Sequence, residues 1–190
     1  MNKLKTKDFT ITKLENSKFV IPVRINYTQN GKAKTWEAVQ SHESVAVLLL
    51  EEESQSFILV KQFRPPVYMC DRSYPYTYEL CAGIVDKEIS LKQIAQEEIL
   101  EECGYAVELE DISKVTSFFT NVGVSGAKQH LYFAKVSKDQ KLSDGGGIHD
   151  EEIVLEYLPI NEAKDFIFDE SKAKTPGLMF AFYWYFEKYK

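Results

Sequence analysis

GIVDKEISLKQIAQEEILEECGY, residues 83–105, closes on a cluster of carboxylates, Glu97, Glu98, Glu101 and Glu102, followed by Gly104. On a helix of about 3.6 residues per turn, Leu91, Ile94 and Ala95 fall on one side. Glu98 and Glu102, four residues apart, continue that same side, with Glu101 at its edge and Glu97 pointing elsewhere. An ordinary amphipathic helix puts its acids opposite its apolar stripe. Here at least two acids are expected to face the body of the protein. Inward carboxylates raise each other's pKa and lose hydration unless a cation neutralises them. Oxygen-only ligands at this density suit a hard divalent cation, magnesium or manganese, better than zinc. A run of glutamates is otherwise a solvated helix face. The inward phase weighs against that, as does Gly104, a helix terminator in the left-handed position.

The 190 residues suffice for one sizeable core, and 44% hydrophobic with 13% aromatic content argues for a packed protein rather than a disordered one. A net charge of -6 disfavours general binding to nucleic acid or to an anionic membrane. It does not disfavour a phosphorylated small molecule, because a metal can mask local negative charge. Cys70, Cys81 and Cys103 have no metal-ligand spacing. Their odd number, with no signal-like N-terminal segment, points to a reducing cytoplasm without a disulfide framework. No run approaches the ~20 apolar residues of a membrane span.

Before residue 41 the sequence predicts a small antiparallel sheet. Residues 9–12 are β-prone, residues 19–27 are rich in Val and Ile, and Asn30-Gly31 is a hairpin turn signal before a return strand over 34–39. The remainder, 41–190, reads as the main domain. Ser44–Leu50 and Phe57–Gln62 pair across a polar turn, and the second strand ends at Pro65-Pro66, which cannot continue a ladder. Arg64 therefore sits at a strand end, where its guanidinium could reach a phosphate or pair with a nearby acid. Residues 69–76 read as a tyrosine-rich loop and 78–82 as a short strand into Gly83. Further strands are expected over 115–119, 128–136 and 153–158. Asn161 is a candidate N-cap for a short helix to Phe168, and an aromatic helix over 177–189 reads as a packing element. The pattern is a mixed α+β sandwich and not a doubly wound fold.

These residues resemble a known family. Residues 83–105 are similar to the Nudix box: Gly, five residues, Glu, seven residues, Arg-Glu, an aliphatic, any residue, Glu-Glu, any residue, Gly, an aliphatic or aromatic. Gly83, Glu98, Ile99, Glu101, Glu102, Gly104 and Tyr105 fit in register. Two positions depart from the pattern. Ile89 stands where the early glutamate belongs, with Glu88 one residue out of place, and Glu97 stands at the arginine. In the family that arginine helps fix the loop and the glutamates through ion pairing. The likeness extends over most of residues 40–190. Residues 61–68, KQFRPPVY, and the lead-in Glu79-Leu80-Cys81-Ala82-Gly83 resemble the nucleoside-diphosphate-sugar branch. Thr120-Asn121-Val122-Gly123, lacking the proline typical of ADP-ribose hydrolases, is closer to the UDP-glucose pyrophosphatases.

The resemblance implies a Nudix α/β/α sandwich with a mixed sheet. It implies magnesium- or manganese-dependent cleavage of a nucleoside diphosphate sugar, UDP-glucose giving UMP and glucose 1-phosphate. ADP-ribose is the alternative substrate, and a nucleotide-sugar binding module without turnover is the second alternative. Glu98, Glu101, Glu102 and the Ala82 carbonyl would hold metal. Arg64 and Glu79 would bind substrate. The base would come from the loop His149-Asp150-Glu151-Glu152, with Glu151 favoured and Glu152 second. The triple glycine Gly145–Gly147 just before would give that loop freedom to close. Tyr68, Tyr74, Tyr76 and Phe119 are candidates for stacking on a base or for packing. The branch also implies a homodimer in which residues 1–40 exchange strands between subunits.

Overall fold

Chain reversal at Asn30-Gly31 sets up the N-terminal hairpin. Strands β1 (Ile21–Gln29) and β2 (Lys32–Gln40) pair in register as an antiparallel hairpin, a sheet of their own. Asn30 and Gly31 both have positive φ, 53° and 73°, as a type I′ turn requires. The computed structural model describes residues 9–12, 14–17, 20–148 and 151–189, so Phe19, His149 and Asp150 lie outside the described residues. Residues 9–12 join no strand. Phe9 instead meets Tyr68 edge-on, with ring centroids 5.1 Å apart.

The main sheet is built from β3 (Ser44–Glu51) and β4 (Ser56–Gln62) at its middle. Both are near-continuous apolar runs because both of their faces are covered. Val45, Val47, Leu49, Ile58 and Val60 belong to one core cluster. Their alternates Ala46, Leu48, Leu50, Phe57 and Leu59 belong to the other. The tight turn between these strands is closed by Glu51, which is 2% exposed and accepts hydrogen bonds from the amides of Glu53 (3.0 Å) and Ser54 (2.9 Å). Burial alone would raise its pKa, but these bonds outweigh it and hold the carboxyl down at about 2. A group depressed in the folded state stabilises the fold above its unfolded pKa, and that contribution disappears as pH falls through the folded value. Wild-type protein should therefore lose stability relative to Glu51→Gln between about pH 4.5 and pH 2. Parallel denaturant titrations that showed a constant gap across this window would contradict the assignment.

Strands β3 and β4 pair only over Leu49–Glu51 with Ser56–Ile58 and then splay apart. The helix α1 (Pro65–Cys70) follows β4. The sequence reads Pro65-Pro66 as a strand end and 69–76 as loop; the paired prolines in fact open a helix, where a missing N–H is no loss, and it takes in Met69 and Cys70. The expected strand over 78–82 is in fact two, β5 (Thr77–Glu79) and β6 (Cys81–Ile84). The first pairs with β4 and the second with β3, so this segment fills the splay.

Helix α2 (Leu91–Glu98) continues into a π-helical turn, Ile99–Cys103, and packs on the face carrying Val45 and Ile58. Strands β7 (Ser113–Phe119) and β8 (Lys128–Val136) are antiparallel, and β8 runs parallel to β3. Strand β9 (Val154–Pro159) lies along β4. The short helix α3 (Ala163–Phe168) is preceded by a 3-10 turn, and its N-cap position is Glu162, without a side-chain cap, rather than Asn161. Strand β10 (Ala173–Lys174) closes the sheet edge beside β5. Helix α4 (Pro176–Lys188) is capped by Thr175, whose hydroxyl accepts from the Leu178 amide at 3.3 Å. It buries Leu178, Ala181 and Phe182 on the second face, with Phe182 stacked on Phe57 at 4.8 Å. The result is the mixed-sheet α/β/α sandwich that the sequence predicts, with a separate hairpin.

Candidate active site

The box begins with a tight loop and a firm helix start. The Val85 amide bonds the Glu43 carbonyl at 2.8 Å. Ser90 caps α2: its hydroxyl accepts from the Gln93 amide at 3.2 Å, while the Gln93 side chain accepts from the Ser90 amide at 3.0 Å. The widened turn Ile99–Cys103 then carries Glu101 and Glu102, and Gly104 ends it with φ 78°. Single π turns of this kind recur at functional sites, because they re-aim side chains without breaking the helix.

Glu102 is buried, 5% exposed, and its Oε2 accepts from the Ala82 amide at 2.8 Å. Glu98 and Glu101 are half-buried. Glu98 lies directly over Gly83: a Cβ there would stand 1.9 Å from Glu98 Oε1. Gly83 is therefore required by close approach rather than by backbone angle. The clash is with the end of a flexible side chain, so Gly83→Ala should displace the Glu98 carboxylate and leave the fold standing. We expect a loss of activity of at least about 10²-fold with a melting temperature within a few degrees of wild type. A fully active Gly83→Ala protein would show that the position of Glu98 is unimportant.

Burial, with Glu101, Glu151 and Asp86 adding to it, raises the Glu98 pKa to about 7. Burial likewise raises Glu102 to about 8, opposed by the Ala82 amide and reinforced by Glu98 and Glu151. Glu151 reaches this group from a distant loop. The glycines Gly145, Gly146 and Gly147 all have positive φ, 67°, 112° and 84°. They do not form a free hinge, as the sequence suggests. The amides of Gly146 and Gly147 bond the carbonyls of Glu102 (2.9 Å) and Glu101 (3.1 Å), so the run is a strap fastened to the C-terminal end of the box helix. Beyond it Glu151 Oε2 accepts from the Ile148 amide at 2.9 Å. Glu151 and Glu152 are both exposed, and the Ile148 amide holds Glu151.

Arg64 makes a bidentate pair with Glu79, Nε–Oε1 and Nη2–Oε2 both 2.8 Å. Both possibilities for this arginine thus persist: it has an acid partner, and the guanidinium remains half-exposed. Glu79 raises its pKa first, and Glu102 and Glu151 add to that, which places Arg64 beside the carboxylate group. A cavity of about 340 Å³ opens from Glu79 and Ala82 towards Phe119, Asn121, Gln129 and Thr175. Of the four stacking candidates only Phe119 lines it. Tyr68 packs on Phe63, Tyr74 bonds the Glu170 carbonyl, and Tyr76 lies under the Lys61 ammonium.

Residues 40–176 match the NUDIX domain. The chain belongs to the Nudix family. It is 35% identical to the uridine diphosphate glucose pyrophosphatase of Bos taurus, over 90% of this chain and 89% of that one. The corresponding protein of Mus musculus is 31% identical over 91% and 90%. A GDP-mannose pyrophosphatase of Cronobacter sakazakii is 31% identical over 73% and 74%.

Nudix hydrolases use a divalent metal, and the donors here fit one: three carboxylates and the Ala82 carbonyl, all oxygen. The carboxyls of Glu98 and Glu102 are pushed up to about 7 and about 8, chiefly by burial with neighbouring carboxylates adding to it, and a hard cation would relieve both. Among the described residues no three acids, histidines or cysteines close on a single point. Glu102 is instead turned to the Ala82 amide.

The departure of this Nudix box at Glu97 has a structural counterpart. Glu97 pairs with Lys87 Nζ at 2.5 Å, so the loop supplies the cation and the helix the anion. Sequence reasoning noticed the acid and missed the lysine. The available signal was a base ten residues upstream, inside the loop, at the end opposite the expected arginine.

Proposed function

We propose that this protein hydrolyses the pyrophosphate bond of a nucleoside diphosphate sugar, with UDP-glucose giving UMP and glucose 1-phosphate. The observation that supports this is the set of contacts about β6 and β5: Glu102 on the Ala82 amide, Glu98 over Gly83, and Arg64 in a bidentate pair with Glu79. A bound divalent metal would supply charge neutralisation of the two phosphates and acidify the attacking water. Glu98, Glu101, Glu102 and the Ala82 carbonyl would hold it. Arg64, oriented by Glu79, would grip a phosphate through its forked N–H groups. Glu151, fixed by the Ile148 amide, would accept the proton of the water as its oxygen bonds to phosphorus and the bridging oxygen departs with the other phosphate. The cavity beyond Ala82 offers room for the nucleoside or the sugar.

UDP-glucose is favoured because the relatives that cover nine-tenths of the chain carry that name. GDP-mannose and ADP-ribose are the competing substrates. Steady-state kinetics with magnesium on all three should give the highest kcat/KM for UDP-glucose. A higher value for either competitor would reassign the substrate, and binding without turnover on any of them would make the protein a binding module.

We also propose that the hairpin pairs two subunits. Ile21, Ile25, Tyr27 and Trp36 lie on one face of it and are exposed. Light scattering should give a dimer for the full chain and a monomer for residues 41–190. A dimer of the shortened chain would rule out strand exchange.

A further inference from the structure

Lys87 is a cation of the box loop paired with the box helix. Its ammonium contacts Glu97 at 2.5 Å, and Glu97 directly precedes Glu98 in the helix. The two ends of its loop are already fastened, at Val85 by the Glu43 carbonyl and at Ser90 by the helix cap. Between them, residues 86–90 are exposed, Ile89 included. Among the described residues, the Lys87–Glu97 pair is the side-chain hydrogen bond that ties the middle of this loop to the helix.

We propose that Lys87 and Glu97 form a charge-reversed latch that fixes the box loop against α2 and thereby sets the positions of Glu98 and Glu101 for metal binding. Both side chains are half-exposed, 45% and 42%, so the pair contributes little to global stability. Its effect is local. Glu97 precedes Glu98 in the helix, and Gly83, which Glu98 overlies, opens the loop that Lys87 closes. Opening the latch frees the loop at its centre and withdraws the cation that partly offsets the repulsion between Glu98 and Glu101. Both residues are positioning residues, and neither is placed on the substrate.

The direct test is a charge exchange. Lys87→Glu and Glu97→Lys are made singly and together, and manganese binding to each protein is measured by calorimetry, without substrate. Each single variant is expected to bind manganese about tenfold more weakly, as for other residues that orient metal ligands. The double variant, which restores the pair, should recover to within about twofold of wild type; an effect of net charge alone would instead tighten manganese binding in Lys87→Glu and weaken it only in Glu97→Lys. Melting temperatures should stay together across the set. Single variants that bind like wild type, or a double variant as weak as the worse single one, would overturn the latch. The inference rests on the metal-dependent reading above, yet the two can fail separately. Absence of turnover on every nucleotide sugar would defeat the proposed reaction, while manganese binding would still decide the latch. In a protein that does turn over, the magnesium needed for half-maximal rate should rise in the single variants and return in the double, with KM for the sugar nucleotide unchanged at saturating metal.

Discussion

Glu98→Gln is expected to lower magnesium-dependent hydrolysis of UDP-glucose by about a thousandfold while leaving the melting temperature unchanged or raised. The two halves of this expectation have one cause. Glu98 is a half-buried carboxylate among like charges, held at a pKa of about 7. Replacing it with a neutral isostere removes repulsion and desolvation from the metal-free fold. The same replacement removes a negative oxygen ligand from the site that must neutralise two phosphates. A stability gain coupled to an activity loss is the usual signature of a functional group kept at some cost to the fold. Matched thermal melts and rates on the two proteins check it. Equal rates would remove Glu98 from the proposed machinery.

Gly145→Ala should produce the largest loss of stability of any single methyl added to the strap. Its φ of 67° is strained for a residue with a side chain, and a Cβ would stand 2.2 Å from the Glu102 carbonyl oxygen. Backbone, unlike the tip of a side chain, cannot step aside cheaply. We expect a cost of about 3 kcal/mol, roughly 10 °C in melting temperature. Because that carbonyl belongs to Glu102 and the strap leads to Glu151, activity should fall further than stability explains when both are measured well below the melting transition. A Gly145→Ala protein as stable as wild type would mean that the strap is not fastened where the hydrogen bonds of Gly146 and Gly147 put it.

The contrast between Gly83 and Gly145 shows what the sequence could and could not disclose. Both stand in recognisable places, one opening the box and one in a glycine run. Periodicity located α2 and the inward phase of Glu98 and Glu102, because burial of a helical face leaves a 3.6-residue imprint. The strands β3, β4 and β8 were equally legible from their apolar runs. A glycine run carries no such imprint. It reads as freedom, yet here positive φ at each position serves to dock a strap onto helix carbonyls. The short helix at Pro65-Pro66 was hidden because proline both ends strands and begins helices. The split into β5 and β6 depends on how far β3 and β4 splay, a tertiary fact with no local signal. Lys87 was hidden for the same kind of reason: an ion pair ten residues apart across a loop is seen in space before it is seen in sequence.

The central claim is that an oxygen-ligand metal site on the box helix cleaves a pyrophosphate bond. Product analysis of the wild-type protein with UDP-glucose, with magnesium and then with excess chelator, tests it most directly. The expected result is equimolar UMP and glucose 1-phosphate that appear with magnesium and cease with chelator. Release of glucose or UDP in their place, or a rate indifferent to chelator, would contradict it.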